Sequence, residues 1–251
     1  MEYKFSDRVL TLKPSAIREI FKYAADPSYI SLSAGNPAPE AFPSKQLAAI
    51  SAKLMAEEPI LALQYSNTEG YPPLLQHLKD YMKSSRNIGT EDDGVLVTSG
   101  AQQIMDLFTK SILNEGETVI CEAPSFIGSL NDFRSYKAKL VGIPMDTDGM
   151  NMEALEKALE TEKNVKFIYT IPNFQNPSGI TMSLEKRHRL YELAKAHDVM
   201  ILEDNPYGDL YYEGEPLPSI KSFDTDGIVI YAGSFSKVIS PGMRVGYAIG
   251  P

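Results

Sequence analysis

The sequence predicts an α/β protein, a three-layer α/β/α sandwich around a mainly parallel sheet, preceded by an N-terminal arm. Two observations carry this reading. From about residue 95 short β-branched runs alternate with longer amphipathic ones, the pattern of parallel strands joined by crossover helices that cover both sheet faces. The first 90 or so residues are instead rich in proline, glycine and tyrosine, as in SLSAGNPAPEAFP and LQYSNTEGYPPL, which suits a segment that wraps a core rather than building one. The expected division is therefore 1–90 for arm and helices and 91–251 for the larger unit.

In the arm, KPSAIREIFKYAA, SKQLAAISAKLMAEE and PPLLQHLKDYMKSS read as helices. GVLVTSG then reads as a strand and turn, AQQIMDLFTKSIL as a helix, ETVICEAP as a strand and FIGSLNDFRSY as a helix. The series continues with strand AKLVGIP, helix NMEALEKALE, strand VKFIYTIP, helix SLEKRHRLYELAKAH and strand VMILEDNP, and closes with GIVIYAGS and RVGYAIG. Strands are assigned on β-branched enrichment and helices on length and apolar spacing. YYEGEPLPSIKSFDTDG reads as a loop.

Composition excludes several function classes. Against 24 basic residues stand 33 acidic ones, a net charge of −9, which disfavours attraction to nucleic acid or an anionic membrane. No stretch approaches the roughly 18–20 apolar residues of a membrane span, and the charged start MEYKFSDRVLTLKPSAIREI lacks a secretory signal, so a cytoplasmic location is expected. The single cysteine, Cys121 in ETVIC, reads as a buried strand thiol without a chemical role. His77, His188 and His197 lack paired ligand spacing, and neither an HExxH nor a GxSxG pattern occurs, so metal and serine-hydrolase chemistry are not expected.

In open parallel sheets, ligands bind beyond the carboxyl ends of the strands, and four such ends carry polar clusters. TSGAQQ places Ser99, Gly100, Ala101 and Gln102 in a small-residue turn opening a helix, where backbone N–H groups can meet a phosphate; the plain alternative is that Ser99 caps the helix. IPNFQNPSG brings Asn173, Gln175 and Asn176, with local turn chemistry as the alternative. VMILED delivers Glu203 and Asp204, followed by Asn205, Pro206 and Tyr207. A carboxylate there needs a cation or hydrogen bonds, and a structural ion pair or helix cap would also satisfy it. Finally SFSK and GMR supply Ser234, Ser236, Lys237 and Arg244. Their strand-like flanks argue against an ordinary surface lysine.

Together PNFQNPSG, EDNPYGDLYY and SFSKVISPGMRVGY resemble, in order and spacing, three signatures of the fold type I pyridoxal-phosphate (PLP) enzymes, and within them the class I/II aminotransferases of the aminoadipate, kynurenine and aromatic amino acid kind. LSAGNPAPEAFP and LQYSNTEGYPPL resemble that family's arm, so the likeness covers essentially the whole chain. It implies ping-pong transfer of an amino group between an amino acid and a 2-oxo acid. Lys237 matches the lysine that forms a Schiff base with PLP and moves protons at the substrate Cα; Asp204 matches the carboxylate that keeps the pyridine nitrogen protonated. Asn176 and Tyr207 match the groups that hydrogen-bond the phenolic oxygen. Ser234, Ser236 and Arg244, with the N–H groups of Ala101 and Gln102 in the Ser99–Gly100 turn, match the phosphate site. Phe126 stands where relatives carry a ring-stacking tyrosine, and Ala101 where many carry serine or threonine.

The resemblance further implies a homodimer in which Tyr65 reaches the neighbouring subunit's phosphate, an ordinary packed tyrosine being the alternative. Gly35 matches a glycine near the substrate carboxylate, and Asn176 also faces the substrate. A smaller C-terminal domain of roughly 100–150 residues, which in the family supplies the arginine for the substrate carboxylate, has no counterpart in these residues, so the chain is expected to turn over poorly. Two alternatives stay open: C–S β-elimination or decarboxylation on the same scaffold, and a ligand-sensing domain of a transcription regulator, which the missing helix-turn-helix module and the charge of −9 disfavour.

Overall fold

The computed structural model describes residues 3–10, 26, 28, 30 and 35–251; the expected helix KPSAIREIFKYAA, at 13–25, lies outside them. Helices α1 (Asp7–Leu10), α2 (Ser44–Glu57), α3 (Pro59–Leu63) and α4 (Pro72–Arg86) come first. Then follow β1 (Gly94–Thr98), α5 (Ala101–Ile112), β2 (Thr118–Ala123), α6 (Ile127–Ser135), β3 (Lys139–Asp146), the short β4 (Gly149–Met150) and α7 (Met152–Thr161). The chain closes with β5 (Val165–Thr170), α8 (Leu184–Ala196), β6 (Met200–Asn205), β7 (Val229–Ser234) and β8 (Gly246–Gly250). The expected strand and helix alternation is realised, and β4 and a 3-10 turn at Ile220–Phe223, inside the segment read as a loop, are added to it.

Local chemistry sets several boundaries. Pro72 and Pro73 open α4, where a missing N–H costs nothing, and Asn87 closes it in the left-handed region at φ 53°. Asn151 caps α7 by accepting from the Ala154 N–H at 2.8 Å, and Ser183 caps α8.

Among the described residues the eight strands join one sheet in the order β1-β8-β7-β6-β5-β2-β3-β4. β3, β2, β5, β6 and β7 run parallel to one another, whereas β8 is antiparallel to both β7 and β1. The reversal places the start of β8 beside the end of β7, with Gly246 opposite Ser234. Arg244 thereby arrives at the same sheet edge as Lys237.

Both faces are covered. Ile120, Ile168, Ile201 and Val229 pack with Leu155 of α7 and Leu190 and Ala194 of α8, and nearby on the same face Leu78 and Met82 of α4 pack with Val95, Tyr231, Tyr247 and Ile249. On the other face Val119, Phe167, Tyr169 and Leu202 pack with Ile104 and Met105 of α5 and Phe133 of α6. Burial of these apolar faces is the main stabilisation of the three layers. Cys121 is buried in the second cluster, and burial pushes its thiol up to about 11, so it is held as an inert thiol. Among the described residues no helix is long and apolar enough to cross a membrane. Helix α2 buries none of its residues.

Candidate active site

The two acids that end β6 face opposite ways, because side chains alternate along a strand. Glu203 faces the α7/α8 side. Its carboxylate accepts from Ser219 Oγ at 2.6 Å and from the N–H groups of Ile220 and Lys221 at 3.0 and 2.9 Å, so it caps the 3-10 turn and is part of the scaffold. Asp204 faces the α5/α6 side at the mouth of the sheet and is 4% exposed. Tyr169 donates to its Oδ2 at 2.8 Å, and Ser129 in turn donates to the Tyr169 oxygen at 2.9 Å. Among the described residues Oδ1 is buried with no partner. A buried acceptor without a donor is costly, and burial pushes the Asp204 carboxyl up to about 6, opposed by the Tyr169 bond. A cationic donor from a ligand would satisfy Oδ1 and restore the carboxylate.

Across the cleft, burial lowers the pKa of the half-buried Lys237 ammonium, and its Nζ donates to the Gly35 carbonyl at 3.0 Å. The amine is therefore nearer its neutral, nucleophilic form than a surface lysine. Ser234 and Ser236 sit at the end of β7 and just beyond, their hydroxyls 3.0 Å apart, with the Ser236 N–H donating to Ser234 Oγ at 3.1 Å. Arg244 adopts φ 52° and is pinned by Nη2 to the Ser99 carbonyl at 3.1 Å and by Nη1 to the Pro241 carbonyl at 3.3 Å. Gly100 makes this possible: it holds φ +81°, and a Cβ there would lie 2.4 Å from Arg244 Nη2. The guanidinium thus rests on the turn that opens α5, whose first N–H groups, at Ala101 and Gln102, have no partner within the helix. Two hydroxyls, a guanidinium and a helix start are donors suited to an anion.

The opposite wall comes from two loops. Asn176 Nδ2 donates to the Tyr207 hydroxyl at 3.3 Å, and burial raises the Tyr207 phenol. Gln175 does not face the cleft. It is 1% exposed, donating to Glu122 Oε2 at 3.0 Å and to the Pro124 carbonyl at 2.8 Å while accepting from the Ser178 N–H and hydroxyl at 2.9 and 2.7 Å. One buried amide thus ties the loop carrying Asn176 to the turn carrying Phe126. Asn173 is likewise structural: its Oδ1 accepts from the fully buried Arg187 at 2.7 Å and its Nδ2 donates to Asn205 at 2.9 Å.

The site is one cleft of about 480 Å³. Of the sequence-predicted set, Gly35, Ala101, Gln102, Phe126, Asn176, Asp204, Tyr207, Ser234, Ser236, Lys237 and Arg244 line it. Ser99 and Gly100 stand behind, supporting Arg244. Tyr65 does not join them and is 100% exposed, so it is not a packed core tyrosine in this chain. Sequence reasoning missed Met105, Ser125, Ile127, Ser129 and Ile171 in the lining, and Tyr169 beneath Asp204; only the shared face of Phe167 and Tyr169 along β5 could have pointed to the last. Among the described residues no cluster of His, Cys, Asp or Glu is placed to hold a metal. The set fits a flat, phosphate-bearing aromatic ligand with a protonated ring nitrogen and a carbonyl within reach of an amine.

Comparison with known proteins agrees with this fold. The family model described as aminotransferase class I and II matches residues 27–251. The chain is 42% identical to the aromatic-amino-acid aminotransferase 1 of Thermococcus litoralis, covering 98% of this chain and 60% of that protein. It is 39% identical to the 2-aminoadipate transaminase of Thermus thermophilus, covering 95% and 59%. The crystal structure of the Pyrococcus horikoshii kynurenine aminotransferase, solved with PMP, superposes with a TM-score of 0.93 at 39% identity, over 98% of this chain and 62% of that one. The chain spans about 60% of the length of these curated relatives. A family model covering nine-tenths of the residues, on the fold and cleft described above, places the chain in the aminotransferase class I and II family.

Proposed function

We propose that this chain is the cofactor-binding part of a PLP-dependent aminotransferase, and that the eleven cleft-lining residues above hold PLP and the reacting amino acid. The observation that carries the reading is the Oδ1 of Asp204, buried and without a partner in the same cleft as Lys237 with its lowered pKa. When bound, PLP supplies an electron-withdrawing ring that takes up the electron pair released when the Cα–H bond of an attached amino acid breaks.

The chain's own residues do the rest. Asp204, paying part of its burial penalty through Tyr169, accepts the ring N–H and keeps that nitrogen positive. Lys237 Nζ would hold the cofactor at its carbonyl carbon, the carbonyl oxygen leaving as water, and as a free amine would be the base that holds and moves the Cα proton. Asn176 and Tyr207 hydrogen-bond the phenolic oxygen. Ser234, Ser236, Arg244 and the first N–H groups of α5 hold the phosphate, and the Phe126 ring stacks on the pyridine face. In this reading the neighbouring subunit of a homodimer receives Tyr65, whose full exposure leaves it available, and Gly35 and Asn176 approach the substrate.

The test is reconstitution with PLP. A lysine-dependent absorbance band is expected, abolished in Lys237→Ala, with amino transfer to a 2-oxo acid assayed on aromatic amino acids, 2-aminoadipate and kynurenine, which the relatives' names supply. A band indifferent to Lys237→Ala would reject the proposal. Release of pyruvate, ammonia and a thiol from a sulfur amino acid assayed beside them, in place of amino transfer, would assign elimination instead.

A further inference from the structure

Helix α6 begins with two residues that helix chemistry disfavours. Phe126 stands at the N-cap with extended dihedrals, φ −66° and ψ 117°, and its side chain makes no capping bond, where Ser, Thr, Asp or Asn would satisfy a free N–H. Two positions on, inside the first turn, stands Gly128, although alanine is the better helix former. Paired departures of this kind are expected where a local preference is given up for a site.

The reason is steric. A Cβ on Gly128 would lie 2.5 Å from Cε1 and 2.6 Å from Cζ of the Phe126 ring, and 2.9 Å from Oε1 of Gln102. The first two are the outer edge of the ring that walls the cleft, and the third belongs to a side chain that lines the same cleft and is itself held by a bond to Asp132. With Gln102 fixed on one side, the edge of the ring occupies the volume a side chain at 128 would fill. The glycine is not required by its backbone, since Gly128 is helical and has no positive φ; it is required by the ring.

We infer that Gly128 is a positioning residue: its missing side chain is the seat of the Phe126 ring edge, and it fixes that ring as the stacking wall of the cleft. The inference rests on the proposed PLP site for its consequence, but not for its geometry. Any side chain at 128 pushes the ring out of its seat, into the space of a stacked ligand or away from its face.

The experiment is a four-protein cycle on this chain: wild type, Gly128→Ala, Phe126→Ala and the double variant. Two readouts are taken, the thermal midpoint without ligand and PLP affinity by absorbance titration. Gly128→Ala is expected to lower the midpoint or leave it unraised in the wild-type background but to raise it in Phe126→Ala, where the ring is gone and alanine's helix preference shows. PLP affinity is expected to fall about tenfold in Gly128→Ala, the size of one aromatic stacking contact, with no further fall when Phe126→Ala is already present. Equal effects of Gly128→Ala in both backgrounds, including unfolding in both, would overturn the inference. Wild type that fails to bind PLP would reject the proposed function instead, while the midpoint cycle still decides the seat of the ring.

Discussion

Tyr169 donates to Oδ2 of Asp204 at 2.8 Å and leaves Oδ1 of the same carboxyl buried without a donor. One half of the acid is spent on the scaffold and the other half is held ready. Both atoms sit where β5 and β6 end side by side, so the arrangement follows from strand register rather than from a flexible loop.

This half-satisfied acid makes ligand-free stability depend on pH. The Asp204 carboxyl moves from 3.8 to about 6 on folding, mainly through burial. Below its unfolded value both states hold the proton and no penalty exists; between 3.8 and about 6 the unfolded chain releases it first, so stability is lost as pH rises. Glu122, pushed up to about 7 by burial, acts in the same direction over a slightly higher window. Asp204→Asn removes the Asp204 share, on the order of 2–3 kcal/mol. Thermal midpoints measured from pH 4 to 7 should therefore show the variant gaining several degrees on wild type while its PLP affinity falls. A constant difference across that range would contradict the assignment.

Arg244 and Gly100 form one unit. Arg244→Lys loses the planar fork, and Gly100→Ala puts a methyl where the guanidinium lies. Each should weaken PLP by about ten- to a hundredfold and leave pyridoxal, which has no phosphate, nearly unaffected. Titration with both ligands checks this, and equal losses for the two would show that the arginine does not serve the anion.

Glu203→Ala separates the two neighbouring acids. It strands the donors of Ser219, Ile220 and Lys221, at a cost of about 2–4 kcal/mol. Unfolding in denaturant should show that loss, and the folded variant should bind PLP as wild type does. A selective loss of PLP without loss of stability would mean the acid on the far face has a role at the site.

Gln175→Leu should loosen both walls at once. It strands the Pro124 carbonyl and the N–H and hydroxyl of Ser178, and leaves Glu122 Oε2 with the Ile171 N–H at 3.3 Å in place of two donors. Amide hydrogen exchange should then rise together over residues 173–180 and in the turn before α6, and exchange confined to one of the two segments would break the proposed link.

Much of this was legible in the sequence. Strand and helix alternation predicted the layered sheet, because crossover helices must cover both faces. Asp204, Ser234, Lys237 and Arg244 stood out as polar residues after apolar strand runs, Asn176 and Tyr207 through the motif resemblance, and all six line one cleft. The sequence could not rank Glu203 against Asp204: which face holds the cleft depends on where α5 and α6 pack, and that is not local. It also hid Arg187, which reads as one more charge in SLEKRHRLYELAKAH. Its burial arises from the carbonyls of Met182, Pro218 and Pro172, two of them 15 and 31 residues away. Gly128 was equally silent, since its constraint comes from the fold of a neighbouring ring over its own helix.

Lys237, among 24 basic residues, is the proposed anchor of the cofactor. Borohydride reduction of the PLP-reconstituted protein, followed by peptide mass mapping, tests it directly. A phosphopyridoxyl group is expected on Lys237 at near-unit stoichiometry and essentially none elsewhere. Label spread over surface lysines according to their exposure, with Lys237 unmodified, would contradict it.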